Sequence, residues 1–305
     1  MLYPKNQIEF ESLFNNDAKC LKYLEDLKYE NGYTCEYCSC LSYWKNKRSV
    51  FVCKSCKSES TATTGTIFHG LKIPLHLLFR FLWFLVLQKN GISAKSLQRI
   101  LGFTRYETVW TWLHKFRRIM ILPNRDKLNG KVEVDETFIG GVKPGKRGRG
   151  AEGKVLVIIA VELIGAYTGR TRMLMIKGAD RKSINDFVKN NIEDGSTIVT
   201  DGWRGYTDLE RMKYKHEIVT KTIAVNDENL TPHVHKIASL LKRWLLGTHQ
   251  NFTSVDYLNY YLDEFTFRYN RRKSNSRGLL FYVLLRQAIL HKPIYETKPL
   301  WTTSP

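Results

Sequence analysis

The chain has no hydrophobic run long enough for a membrane. Its most lipid-like stretch, Phe81 to Leu87, falls far short of the ~20 residues that cross a bilayer and reads as a buried helix. Acidic residues are scarce: 29 Asp and Glu face 48 Lys and Arg, a net charge of +19. That excess runs through the whole chain, which excludes a neutral protein with a basic tail. It is also too lopsided for a typical metabolic enzyme, so nucleic acid is the expected partner, with a cationic membrane-surface role as the competing explanation. Cysteine is limited to six residues, and no secretory signal precedes them, which points to a reducing cytoplasm. No internal repeat is present. What is there suffices for a folded protein: 43% hydrophobic residues over 305 positions allow two or three domains with real cores.

Four of the cysteines fall as Cys35-x-x-Cys38 and Cys53-x-x-Cys56. Each pair can bend so that both thiolates point at one ion, and two pairs close a tetrahedral, thiolate-only site that favours Zn²⁺. The 14 residues between the pairs suit a short hairpin, so a zinc ribbon is expected. The alternative, two disulfides, requires an oxidising compartment. Cys20 lies in an amphipathic stretch and reads as a buried thiol; Cys40 has no assigned role.

Along the chain, Ile8 to Leu27 has helical spacing, and Lys57 to Gly65 reads as the last ribbon strand and an exit turn. Pro74 opens an apolar helix that ends near Asn90-Gly91. Ser93 is a candidate cap for a helix over Ala94 to Leu101, Gly102 breaks it, and Thr104 is a candidate cap for Arg105 to Met120. Helix, short glycine-containing turn, helix is the helix-turn-helix pattern. Arg105, Thr108, Thr111, Lys115 and Arg118 lie off the apolar face and are candidate DNA contacts, against the plainer reading of a solvated basic face.

From Lys131 the texture changes to strands: Val132 to Ile139, Val155 to Leu163 and Thr171 to Ile176, then a helix over Ser183 to Ile192 and a strand over Ser196 to Thr200. That order predicts an α/β domain with a mixed sheet. Helices are expected over His235 to Leu246, Val255 to Tyr269 and Leu279 to Leu290, and a loose tail from Pro293.

Asp135 sits mid-strand in Val-Glu-Val-Asp-Glu-Thr-Phe, and Asp201 directly follows the strand Ile198-Val199-Thr200. Carboxylates so placed can converge and hold Mg²⁺ through hard oxygen ligands. Each alone has a plain reading: Asp201-Gly202 as a turn, Asp135 as a solubilising edge residue. On the helix from His235, Ile237, Leu240, Leu241, Trp244 and Leu245 form an apolar stripe, with His235, Ser239 and Lys242 opposite.

The run Leu230-Thr-Pro-His-Val-His-Lys-Ile-Ala-Ser-Leu-Leu-Lys-Arg-Trp-Leu-Leu-Gly-Thr-His249 resembles a signature of bacterial insertion-sequence transposases, as does Tyr261-Leu-Asp-Glu-Phe-Thr-Phe-Arg-Tyr-Asn-Arg-Arg272. Val132 to Gly141 looks like the first catalytic motif, and Thr200-Asp-Gly-Trp-Arg-Gly-Tyr206 like the second. The branch is the zinc-ribbon group of the DDE superfamily related to Merlin elements, with an ISXO2-like transposase domain. The resemblance extends over nearly the whole chain, the ribbon and the Gly65-Thr-Ile-Phe-His69 segment included.

This resemblance implies a ribonuclease-H-like catalytic domain and two-metal phosphoryl transfer that cleaves element ends and joins their 3′ ends to target DNA. Asp135 and Asp201 match the first two acidic ligands. Counting back seven residues from Lys242 puts His235 at the third, where the family usually carries Glu. Mg²⁺ or Mn²⁺ is the implied catalytic cofactor, and structural Zn²⁺ the second. Lys242 and Arg243 become candidate phosphate contacts. Lys143, Lys146, Arg147 and Arg149, in a glycine-containing loop, form a candidate clamp, with Arg271 and Arg272 as further cations. The expected domains are residues 1–65 (helix and ribbon), 66–125 (helix-turn-helix-like), 126–292 (catalytic) and 293–305 (tail). The expected partners are terminal inverted repeats and target DNA in the nucleoid, bound by a homodimer or higher oligomer. The alternative reading is a DNA-binding regulator or inactive derivative that holds ends without cutting, and a further one is a nuclease without strand transfer.

Overall fold

The structure, a computed structural model, describes residues 3–122, 124–140, 154–219, 230–249 and 255–294. Packing divides the chain into two compact units, Met1–Leu122 with Ser274–Pro305, and Pro123–Lys273.

The first unit begins with α1 (Gln7–Leu13) and α2 (Asp17–Lys28). The single helical stretch expected from Ile8 to Leu27 is broken because the Asn16 side chain accepts the Lys19 amide and starts a new helix. A three-stranded antiparallel sheet follows: β1 (Tyr43–Lys45), β2 (Phe51–Cys53) and β3 (Glu59–Ser60). Tyr29, Tyr33 and Tyr43 close around Phe51 with ring centroids 4.6 to 5.7 Å apart, giving this small sheet an aromatic core beside the cysteines.

Next come α3 (Leu75–Leu87), α4 (Ala94–Leu101) and α5 (Tyr106–Ile119). Ser93 caps α4 by accepting the Ser96 amide, and Gly102 ends it in the left-handed conformation at φ 70°. Thr104 does not cap α5: Arg105 occupies the cap position, without a side-chain bond. α3 stops at Leu87, short of Asn90-Gly91, where Gln88 turns extended.

The last helix, α9 (Arg277–Leu290), packs on α2, α3 and α5. Phe281 is fully buried among Phe10, Phe14, Phe79 and Trp83. The expected catalytic span 126–292 therefore differs from the second unit, because this aromatic cluster draws α9 to the N-terminal helices. The same cluster merges the expected spans 1–65 and 66–125 into one body.

The second unit is built on a five-stranded mixed sheet of β4 (Lys131–Ile139), β5 (Val155–Ile164), β6 (Tyr167–Ile176), β7 (Thr197–Thr200) and β8 (Lys215–Ile218). The spatial order is β6-β5-β4-β7-β8, antiparallel on the β5 and β6 side and parallel on the β7 and β8 side. Sequence patterning passes over β8, since Lys-His-Glu-Ile is a mostly exposed edge strand with no apolar alternation. One sheet face buries Val132, Val134, Ile158 and Ile198 under α6 (Arg181–Asn191). The other buries Val157, Ile159 and Val161 under α7 (Pro232–His249) and α8 (Leu258–Asn270). β4 lies at the centre, so its alternating residues address both faces. No described helix is long and apolar enough to cross a membrane.

Candidate active site and metal centre

Asp135 and Glu133 project from β4 toward α7, on the face opposite Val132 and Val134. β4 pairs in parallel with β7 through Lys131–Thr197, Val132–Ile198 and Glu133–Val199. Carrying that register two residues onward sets Asp135 level with Asp201, just past the end of β7. Asp135 thus lies mid-strand in β4 and Asp201 just past its parallel neighbour, and among the described residues the four cysteines are the one set of three or more donors close enough to share an ion.

The Asp135 side chain is 13% exposed. Its Oδ1 accepts the Glu136 amide at 2.7 Å, while Oδ2 accepts the Thr231 hydroxyl and lies 3.2 Å from His235 Nε2. Asp201 is exposed, and its Oδ1 accepts the Trp203 amide at 3.0 Å. The turn after it depends on Gly202 at φ 79°, where a Cβ would come within 2.6 Å of Ile218 Cγ2. Behind the turn, the Thr200 hydroxyl accepts the Gly202 amide at 3.1 Å and meets His216 Nε2 at 2.8 Å. Burial lowers the His216 pKa, which favours a neutral ring. Trp203 is anchored by its indole N–H to the Ala179 carbonyl at 3.0 Å.

Tyr206 closes the site from the α6 face. It is fully buried and donates to Glu136 Oε1 at 2.6 Å. Burial, and then the charges of Glu136, Asp135 and Asp201, raise its pKa well above the usual phenol value, so it stays a donor. Two of those carboxylates stand mid-strand in β4 and the third just past the end of β7.

On α7, His235, Ser239 and Lys242 are exposed together, opposite the buried Ile237, Leu241 and Leu245, as the periodicity predicts. Surrounding atoms, and then Lys154, lower the Lys242 pKa. Two carboxylates and an imidazole are donors that suit a divalent cation with oxygen and nitrogen ligands.

The four cysteines converge more tightly, with all Sγ atoms within 4.8 Å of one another. Cys35 and Cys56 lie 3.6 Å apart, and Cys38 and Cys53 3.5 Å. A tetrahedron with ~2.3 Å Zn–S bonds has edges of about 3.8 Å, so this set fits Zn²⁺. The Ser58 hydroxyl, with the Tyr37 and Cys38 amides, draws the Cys35 thiol down to about 5. For Cys38 the Cys40 amide works in the opposite sense, but the Cys56 sulfur, burial and the other two sulfurs push it up to about 12. A cation at the centre would relieve that crowding by displacing the remaining thiol protons. Cys20 is fully buried, as expected, and burial raises its pKa to about 12.

The candidate DNA-contacting cations divide by environment. In the first unit, Arg105 is exposed at an open concavity of about 620 Å³ that it lines with Glu107, Thr108, Thr111 and Trp112. Lys115 is half-buried with Nζ 4.8 Å from the Trp112 ring centre, and Arg118 is also half-buried. In the second, Arg243 is exposed on α7, and Arg271 stacks on Phe267 at 4.2 Å. Arg272 stacks on Tyr269 at 4.0 Å and donates to the Thr168, Gly169 and Tyr269 carbonyls, which makes it an anchor between α8 and β6. Lys143, Lys146, Arg147 and Arg149 lie outside the described residues.

Several residues around the acids were not singled out from sequence: Glu133, Thr231, Tyr206 and the Thr200–His216 pair. For two of them a signal existed. Glu133 shares the strand face of Asp135, and Thr231-Pro232 is a cap residue followed by the proline favoured at the first helical position.

Residues 127–270 match the family of ISXO2-like transposase domains. An uncharacterized protein in transposable element ISH50 of Halobacterium salinarum is 26% identical over 284 residues, covering 84% of this chain and 91% of that protein. Among solved structures, a Mos1 transposase paired-end complex with left transposon end is 13% identical over 69% of this chain and 78% of its own, at a TM-score of 0.29. The Mos1 strand transfer complex gives the same identity and TM-score over 72% and 79%. Neither likeness is close enough to carry an argument. Residues 127–270 thus carry an ISXO2-like transposase domain.

Proposed function

We propose that this transposase binds the ends of its insertion sequence, cleaves them and joins the freed 3′ ends to target DNA. The observation that carries this reading is His235 Nε2 3.2 Å from Asp135 Oδ2 on β4, with Asp201 directly after β7, the parallel neighbour of β4. The sheet order β6-β5-β4-β7-β8, with its antiparallel and parallel halves, supports a ribonuclease-H-like catalytic domain.

Asp135, Asp201 and His235 are the residues that would hold divalent cations, which when bound acidify a water and neutralise charge on the leaving 3′ oxygen. The chain's own groups prepare that site. The Thr231 hydroxyl and the Glu136 amide fix the Asp135 carboxylate, and the Trp203 amide fixes Asp201. Tyr206 donates to the Glu136 carboxylate beside them. Lys242, on the exposed face of α7 with His235, is placed for a phosphate oxygen. No covalent protein intermediate is required, so no Ser, Tyr or Cys nucleophile enters.

The four-cysteine ribbon and α4–α5 are the proposed readers of the terminal repeats, and the dispersed positive charge supplies contacts to the DNA backbone. Cutting two ends calls for two active sites, so a dimer or higher oligomer is the proposed assembly on DNA.

The test is substitution without loss of volume. Asp135→Asn and Asp201→Asn each remove a charged ligand and should lower cleavage on the order of 10³-fold, the equivalent of about 4 kcal/mol of transition-state stabilisation, with end binding retained. Near-normal cleavage by either variant, measured on a labelled end fragment, refutes the assignment. A wild-type chain that binds ends but nicks none with Mg²⁺ or Mn²⁺ would be a binding-only derivative.

A further inference from the structure

Thr231 stands immediately before Pro232, the first residue of α7, and its carbonyl accepts the His235 amide at 3.0 Å. A threonine in that position ordinarily turns its hydroxyl onto the amide two or three residues later and so caps its own helix. Here the hydroxyl goes to Asp135 Oδ2 instead. The amide it would have served, that of Val234, is buried and would be costly to leave unpaired. Glu133 takes over that role from the neighbouring strand. Its Oε1 accepts the Val234 amide at 2.7 Å, and its Oε2 meets His233 Nδ1 at 2.9 Å. A carboxylate at a helix N-terminus also faces the positive end of the helix dipole.

Glu133 is only 3% exposed, so a charge has been buried where two donors satisfy it. Glu133 and Asp135 are alternate residues on one face of β4, and together they grip one turn of α7. Glu133 holds His233 and Val234; Asp135 holds Thr231 and His235, which are four residues apart and stack on one side of the helix.

We propose that Glu133 is a positioning residue for the active site: by capping α7 in place of Thr231, it frees that hydroxyl for Asp135 and sets His235 over the same carboxylate oxygen. This role rests on the reading of Asp135 and His235 given above. Glu133 itself touches neither DNA nor a reacting atom.

The experiment uses the full chain with Glu133→Ala, Glu133→Gln and a control, Leu262→Ala, a core variant in α8 that lowers stability with the Glu133 carboxylate kept. Three readings are taken: hydrogen exchange of the peptide spanning residues 230 to 240, Mn²⁺ binding followed by its spin-resonance signal, and the cleavage rate. Glu133→Ala should speed exchange in the first turn of α7. It should also weaken Mn²⁺ binding and slow cleavage, each about 10- to 100-fold, as loss of a ligand's supporting partner does. Glu133→Gln keeps an acceptor for Val234 and a donor for the ring, and should stay within a few-fold of wild type. Unchanged exchange in Glu133→Ala overturns the proposal, as does an Mn²⁺ defect no larger than that of Leu262→Ala. If Glu133→Ala does not fold, Glu133→Asp, which withdraws the carboxylate by one methylene, is judged by the same readings. A wild-type chain with no cleavage would defeat the parent reading, and hydrogen exchange would still decide for or against the cap.

Discussion

At position 235 an imidazole stands 3.2 Å from Asp135 Oδ2, where the family usually carries a glutamate. Neutral imidazole is a poorer partner for Mg²⁺ than a carboxylate and a better one for Mn²⁺. Mn²⁺ should therefore support cleavage at least as well as Mg²⁺. His235→Ala should cripple the reaction on the order of 10²-fold with either metal, whereas His235→Glu should keep or improve activity with Mg²⁺. Near-normal cleavage by His235→Ala in a metal titration would reduce this histidine to a solvated helix residue. His233, two residues earlier, has a different partner in the buried Glu133 carboxylate. Its removal should loosen the first turn of α7 without taking away a metal ligand, so His233→Ala should cost less than His235→Ala under the same assay.

Among the elements, the ribbon is the one whose shape hangs on an ion. Its strands are two or three residues long, too short to stand by themselves, and four sulfurs converge beside a small aromatic core. Structural Zn²⁺ supplies about 10–16 kcal/mol to such modules, so metal and fold are coupled. One zinc per chain is expected by elemental analysis. Cys53→Ser should lose both the zinc and specific end binding, while the far-ultraviolet signal of the helices persists. Unchanged zinc content in that variant would contradict the site. By contrast, α4 and α5 carry their own local signals: the Ser93 cap, the left-handed Gly102 and a buried face of Val109, Trp112, Leu113 and Phe116. One helical stretch does not follow its local signals alone. α9 reads as an ordinary apolar helix, and only its ring contacts with Phe10, Phe14, Phe79 and Trp83 assign it to the N-terminal helices.

For the molecule as a whole, that return of the C-terminal segment makes the first unit depend on residues from both ends of the chain. Phe281→Ala removes the ring on which four others pack and should cost about 3–5 kcal/mol, read as a shift in the denaturant midpoint. No shift would mean the cluster collapses without loss. The net charge of +19 acts at this scale too. If DNA backbone contacts supply the bulk of affinity, binding should weaken about 10³-fold or more between about 50 and about 200 mM salt. A flat salt dependence would remove DNA from the account of that charge.

The sequence by itself determined what is local. The Cys-x-x-Cys pairs fold back through tight turns, the stripe on α7 follows from a 3.6-residue period, and the alternation in β4 from a 2-residue one. Long motifs carried the family, and the excess of Lys and Arg carried the expectation of nucleic acid. The tertiary structure alone decided what meets across a hundred residues of chain. Asp135 and His235 are 100 positions apart, and so are Glu133 and His233. Their meeting depends on how α7 lies over β4, which is not encoded in any short window. For the same reason no short window shows that Thr231, directly before α7, partners Asp135 while Glu133 caps the helix. Arg272 looked like a free cation, and its ring and carbonyl partners on Tyr269, Thr168 and Gly169 exist only after α8 has packed on β6. Periodicity reports which face of an element is buried; which residue waits on the other side is settled by packing.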